Sequence, residues 1–201
     1  MRHLQIKTII LFILTVGLHA FAQKAPNSSK VPPLKNPKQE IAYLAGGCFW
    51  GMEELFRSQK GVVETEVGYM GDSTPSPTYE LIKTGRTNFA ETIKVVFDPT
   101  LTNYQNVLNY FFKIHDPTTM NQQGNDKGTQ YRSAIFYTTD EQKKVAEVSI
   151  KKINQMKVWK KTIVTQISSA GPWIKAEDHH QDYLQKNPQG YTCHFERKID
   201  L

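Results

Sequence analysis

The sequence predicts an α+β fold, a two-layer sandwich with helices laid on one side of a sheet. Three observations predict it. Strand-like and helix-like hydrophobic patterns alternate from residue 40 to residue 201. Hydrophobic residues make up 39% and aromatic residues 11% of the 201, enough for a real core and too much for a disordered or fibrous chain. No internal repeat is present, and the length suits one ordinary domain with extensions rather than a multidomain machine.

Taken in order, Ile41–Ala45 reads as an apolar strand, and Phe49, Met52 and Phe56 mark one face of a helix that begins at about Phe49. Val62–Tyr69 reads as a second strand. Ile93, Val95 and Phe97 alternate as a third, which Asp98-Pro99 ends. A helix follows over Tyr104–Ile114, with Val107, Leu108, Phe111 and Phe112 on one face and Thr102 as its expected N-cap. Ala134–Tyr137 and Ile163–Ile167 read as strands, Asp140–Met156 as a long polar helix and Glu177–Gln185 as a short one. Residues 116–132 (DPTTMNQQGNDKGTQYR) have no periodicity and are long for a connection, which points to a functional loop packed on the domain.

The charge is unevenly placed. Six of the 25 Lys and Arg and none of the 19 acids precede residue 40, so residues 40–201 carry equal numbers of each sign. A nucleic-acid binder would place its basic excess on the folded domain, and that class is excluded here. Residues 1–22 combine Arg2 and Lys7, an apolar run from Thr8 to Leu18 and the small residues of Ala20-Phe21-Ala22, the expected make-up of a cleaved signal peptide. The run is too short to span a bilayer, which needs about 20 residues, so no stable membrane association is expected. Residues 23–39 hold four of the ten prolines and read as a Pro/Lys-rich linker, leaving 40–201 as the folded domain. The expected location is exported, periplasmic or secreted.

Cys48 and Cys193 are the two cysteines, and in an exported chain a structural disulfide is the default expectation. Yet Gly46-Gly47-Cys48-Phe49-Trp50-Gly51 lies where a strand gives way to a helix. A thiol at a helix N-terminus faces unpaired N–H groups and the positive end of the dipole, and its pKa is expected to fall below the usual value of about 8.5.

Gly47-Cys48-Phe49-Trp50-Gly51, followed by Glu53 and Phe56, resembles the active-site signature of the A-type peptide methionine sulfoxide reductases. Further motifs resemble that family in its order: Pro77-Thr78-Tyr79-Glu80, Phe89-Ala90-Glu91, His115-Asp116-Pro117-Thr118-Thr119, Gly124-Asn125-Asp126 through Tyr131-Arg132-Ser133, and Ala176-Glu177-Asp178-His179-His180-Gln181. Together they span residues 40–195. Phe89 stands where the family commonly has histidine, and Gln122 where arginine is common.

The resemblance implies a ferredoxin-like two-layer α/β sandwich and reduction of the S epimer of methionine sulfoxide, free or in proteins. Cys48 matches the nucleophile and Glu91 the acid that protonates the sulfoxide oxygen, a role that needs a carboxyl pKa raised by burial. Tyr79 and Tyr131 match hydrogen-bond donors to that oxygen. Phe49 and Trp50 match the pocket for the S-methyl group, and Asp126 a supporting acid of the substrate site. Cys193, in Gly190-Tyr191-Thr192-Cys193-His194, matches a resolving cysteine that closes a disulfide on the Cys48 sulfenic acid. The resemblance implies no cofactor and no metal, an external thioredoxin-type dithiol reductant, oxidised proteins or peptides as substrates, and a monomer.

Three other readings of the residues stand beside it. A cysteine hydrolase would activate Cys48 with His115, His179 or His180. A metal could sit on Asp178-His179-His180, although adjacent helical histidines diverge. A binding domain could be stapled by Cys48 and Cys193.

Overall fold

A computed structural model describes residues 36, 38–71 and 78–201. The expected signal peptide, most of the linker and Pro77 lie outside the described residues. Strand β1 (Glu40–Gly46) is followed by helix α1 (Phe49–Arg57), strand β2 (Val62–Met70), a short helix α2 (Tyr79–Ile82), strand β3 (Ala90–Phe97) and helix α3 (Tyr104–Ile114). A two-residue hairpin, β4 (Gln122–Gln123) with β5 (Asp126–Lys127), and a 3₁₀ turn at Thr129–Tyr131 lead into β6 (Ser133–Tyr137). Helix α4 (Asp140–Met156), β7 (Gln166–Ser169), β8 (Ile174–Lys175) and a four-residue α5 (Tyr183–Lys186) complete the order.

The main sheet runs β7-β6-β1-β3-β2-β8. All its pairings are antiparallel except the parallel β6–β7 edge. Its inner four strands, with α1 joining β1 to β2 and α3 lying between β3 and β6, make the expected ferredoxin-like sandwich. The alternation foreseen in the third strand holds: Ile93, Val95 and Phe97 point to the helix side. There they join Leu44, Met52, Phe56, Leu108, Phe111 and Phe112 in the main core.

The opposite face is covered as well. Ile41, Tyr43, Ala45, Met70, Val96 and Phe136 pack there with Trp173, which arrives on the segment before β8. All eight residues of β3 are therefore buried. By the same period of two, Glu91 shares the helix-side face of Ile93, which aims its carboxyl at the start of α1.

Three boundaries differ from the sequence reading. Asn103, not Thr102, caps α3, its side chain accepting from the Asn106 N–H at 2.9 Å. The strand expected at Ile163–Ile167 starts at Gln166, because the Ile163 and Val164 N–H groups are taken by the Asn154 side chain and the Pro117 carbonyl. Of the helix expected at Glu177–Gln185 only the last three residues are helical, in α5 (Tyr183–Lys186). Asp182 sits at φ 54° with its N–H donated to Glu53 Oε2 at 2.9 Å, which turns the chain before the helix begins. Residues 116–132 pack on the domain as expected, and they carry the small hairpin and the 3₁₀ turn.

Candidate active site

Cys48 occupies the N-cap position of α1, where its own side chain makes no capping bond. The chain reaches it through Gly47 at φ 106°, a left-handed turn in which a Cβ would come within 2.5 Å of the Gln123 side chain. This fits a strand that ends and a helix that starts within two residues. The sulfur is buried, with Cys48 6% exposed.

Glu91 reaches the same point from the sheet. Its Oε2 accepts the N–H of Phe49 at 3.2 Å, one of the free donors of the helix start. Full burial pushes this carboxyl up to about 8; the Phe49 bond opposes the shift and the nearby Asp126 charge adds to it. At neutral pH Glu91 is therefore largely a neutral acid, as its assigned role requires.

The Cys48 thiol differs from expectation. The Trp50 N–H does lower it, as a helix start should, but burial raises it by more. Glu91, Cys193 and Asp126 push in the same upward direction. The resting sulfur is a thiol, because a solvent-excluded seat beside acids costs a thiolate more than one backbone N–H returns.

The remaining candidates close around these two groups. Cys48, Phe49, Trp50, Tyr79, Glu91, Asp126 and Tyr131, joined by Tyr191, line one cavity of about 190 Å³. Burial raises the hydroxyl pKa values of Tyr79 and Tyr131, with Glu91 next in effect for both, so both stay protonated donors.

Each is fixed by its own scaffold. The Tyr79 N–H donates to Glu177 Oε1 at 3.1 Å, and Glu177 Oε2 accepts from the Tyr69 hydroxyl at 2.9 Å. Tyr131 rides the 3₁₀ turn, which Thr129 and Arg132 tie to the carbonyls of Gly85, Thr87 and Asn88. Trp50 stacks on Tyr183 with centroids 3.8 Å apart and donates its indole N–H to His180 Nδ1 at 3.1 Å.

Cys193 lies outside the cavity lining, on the C-terminal segment that crosses the start of α1. Its sulfur lies 3.5 Å from His194 Nδ1, and burial followed by Asp126 pushes its thiol up to about 12, while the Cys48 N–H and the Tyr191 hydroxyl act to lower it. Both cysteines are free thiols. Gly51 lets the segment approach this closely, since a Cβ there would overlap Thr192 Oγ1 and lie 2.7 Å from His194 Nδ1.

Sequence reading missed Tyr191, whose hydroxyl donates to Asp126 Oδ2 at 3.1 Å. It also missed the supporting roles of Glu177 and His180. The one signal for Tyr191 was its place two residues before Cys193. Phe89, the departure from the family pattern, is fully buried with Phe49, Val67, Tyr69 and Ile82 and serves packing.

Two of the three histidines weighed as bases for Cys48 have ring nitrogens engaged elsewhere. Both ring nitrogens of His115 are engaged, by the Phe111 carbonyl and Ser133 Oγ, and His180 Nδ1 is occupied by Trp50. Among the described residues no group of three His, Cys, Asp or Glu is gathered for a metal ion.

A buried thiol facing a neutral carboxylic acid, with a second thiol close enough to act on it, defines a thiol-dependent oxidoreductase on an α+β sandwich. The family model described as peptide methionine sulfoxide reductase matches residues 40–200. The chain is 51% identical over 156 residues to the peptide methionine sulfoxide reductase MsrA of Mycolicibacterium paratuberculosis, covering 78% of this chain and 89% of that one. It is 53% identical over 156 residues to the MsrA of Mycobacterium leprae, covering 78% and 86%.

Among solved structures, Mxr1 from Saccharomyces cerevisiae in reduced form superposes with a TM-score of 0.74 at 38% identity, covering 81% of this chain and 95% of that one. Methionine sulfoxide reductase A of Corynebacterium diphtheriae gives 0.69 at 38%, covering 83% of each. The structure of Mxr1 in complex with Trx2 shares the fold at 24% identity, with a TM-score of 0.55 and coverage of 84% and 97%. The chain belongs to the peptide methionine sulfoxide reductase family and is an oxidoreductase acting on methionine sulfoxide.

Proposed function

We propose that the chain reduces the S epimer of methionine sulfoxide, free or in oxidised proteins, with the residues of the Cys48 cavity in the following roles. The carrying observation is the meeting of the Cys48 thiol with the buried Glu91 carboxyl across the Phe49 N–H. A sulfoxide sulfur becomes electrophilic only as its oxygen is protonated. Glu91 supplies that proton while Cys48 attacks sulfur, and the Tyr79 and Tyr131 hydroxyls hold the oxygen as charge develops. Phe49 and Trp50 give the methyl group an aromatic wall, and Asp126, held by Tyr191, closes the rim. The substrate S–O bond breaks as the protonated oxygen passes to the Cys48 sulfur, the Cys48 S–H proton replaces the one Glu91 gave, and methionine leaves a sulfenic acid on Cys48.

Cys193 then forms the disulfide, releasing water, and an external dithiol of thioredoxin type restores both thiols by exchange. The capture of Mxr1 with Trx2 supports such a partner. No cofactor is needed in this scheme, because both electrons come from thiols. The leader at 1–22 supports export, to a periplasm or outside the cell, and N-terminal sequencing of the exported chain is expected to begin at Gln23. The 40–201 unit is taken to act as a monomer.

The test is a single turnover of the reduced full chain with each epimer of a methionine sulfoxide peptide. One methionine per chain is expected, from the S epimer alone, with two thiols lost. Cys193→Ser should still give one methionine but lose recycling. Repeated turnover by that variant with a thioredoxin-type reductant would remove Cys193 from the scheme.

A further inference from the structure

His194 has no part in the scheme so far, yet it is one of the most enclosed polar side chains near the site, with 6% of its surface exposed. Its Nε2 lies 2.8 Å from the Gly46 carbonyl oxygen. A carbonyl can only accept, so Nε2 carries the ring proton. Burial holds the imidazole well below its usual range, at about 4, so the ring is neutral and Nδ1 keeps a free lone pair. That lone pair lies 3.5 Å from Cys193 Sγ. The Gly46 bond spans 148 residues of sequence and fastens the ring to the end of β1, two residues from Cys48. The arrangement is thus a thiol, a base of fixed tautomer and an anchor on the strand that presents the other thiol.

We propose that His194 is the general base of disulfide formation: its Nδ1 takes the Cys193 proton as Cys193 Sγ attacks the sulfenic sulfur of Cys48. The S–S bond forms as the S–O bond breaks, with the bond pair going to oxygen. That oxygen departs as water with the proton lifted from Cys193, so no proton is gained or lost overall. The Cys193 sulfur is oxidised by one level and the Cys48 sulfur reduced by one. The need for a base is plain from the resting state, since Cys193 is held protonated by burial and by Asp126. This proposal rests on the roles of Cys48 and Cys193 given above.

His194→Gln tests it, because the Gln amide can keep a donor on Gly46 while offering Cys193 no basic nitrogen. Reduced full-length protein is mixed with one equivalent of a methionine S-sulfoxide peptide, and methionine, sulfenic acid trapped by dimedone, and disulfide are followed separately. The variant should release its methionine, accumulate sulfenic acid and close the disulfide at least tenfold more slowly at pH 6.5. The slow step should quicken as pH rises and be partly restored by added imidazole.

Closure at the wild-type rate overturns the proposal. So does a slow closure that neither pH nor imidazole lifts, which would assign the ring to packing or the proton to Asp126. Should the variant give no methionine, the wild-type closure rate between pH 5 and 7 decides. The groups facing this pair are Asp126 and Tyr191 at the Cys193 sulfur, His115 and Arg197 toward His194, and Glu91 toward Cys48. A level rate supports the internal base, and a tenfold rise per pH unit overturns it. A wild type that makes methionine without losing its second thiol overturns both this step and the Cys193 assignment, a result no His194 variant can imitate.

Discussion

Cys48→Ser is expected to reduce methionine formation to the uncatalysed level, in single turnover as well as in steady state. The serine oxygen would sit in the same N-cap seat, with the Trp50 N–H, the Glu91 acid and the aromatic wall in place. What it lacks is a soft, polarisable nucleophile that attacks sulfur, and no rearrangement of donors supplies one. The measurement is methionine per chain after mixing with the S-epimer peptide; any burst approaching one equivalent would exclude Cys48 as the attacking group. Thermal unfolding of the variant should resemble that of the reduced wild type, because both cysteines are free thiols in this fold. A wild type that unfolds on reduction would instead mark a stapled binding domain, which loses the stabilisation of a long closed loop, roughly 4–5 kcal/mol on the chain-entropy model.

Glu91→Gln should carry the second largest loss, about 10²–10⁴-fold in kcat/KM, the usual contribution of a positioned general acid. The glutamine can still meet the sulfoxide oxygen but has no proton to give. The wild-type pH profile follows from the same group. The acid is active when protonated, and its pKa is about 8, so activity should be retained below that value and fall as pH rises through it.

Stability runs in the same direction. A carboxyl raised from 4.5 to about 8 in the folded state leaves folding unpenalised below 4.5 and progressively penalised up to 8. At pH 7 that penalty is on the order of 3 kcal/mol. Urea midpoints taken at pH 5 and pH 8 should therefore converge in Glu91→Gln relative to wild type. A larger gap in the variant would contradict the burial assigned to Glu91.

Much of this was legible along the chain. Phe49, Met52 and Phe56 announced α1, the alternation of Ile93, Val95 and Phe97 announced β3, and Asp140–Met156 was read to the residue. These are local periodicities, and burying one face of each element is what the fold does with them. The ordered motifs named the cavity residues, and the sheet brings them together.

What was not legible depended on distance in sequence. Nothing near Cys48 tells that its helix-start donors will be outweighed by burial and by an acid 43 positions away. Nothing near His194 announces a carbonyl at Gly46, and nothing near Tyr191 announces Asp126. The helix expected at Glu177–Gln185 failed for the same reason: Glu53, on α1, claims the Asp182 N–H and holds a left-handed turn that local propensity does not favour.

The segment from Gly190 onward contributes no strand or helix among the described residues and is held by side-chain and single backbone bonds, among them His194 to Gly46, Tyr191 to Asp126, Arg197 to the Lys113 carbonyl and Asn109 to the Leu201 carbonyl. Lacking a backbone ladder, it is expected to open as a separate cooperative unit, its amides exchanging with solvent sooner than those of β1 and β3. One cysteine sulfur belongs to the junction of β1 and α1 and the other to a segment with no strand or helix of its own. Any approach of Cys193 to Cys48 is then expected to be made by this segment, with the sheet that shapes the cavity left in place.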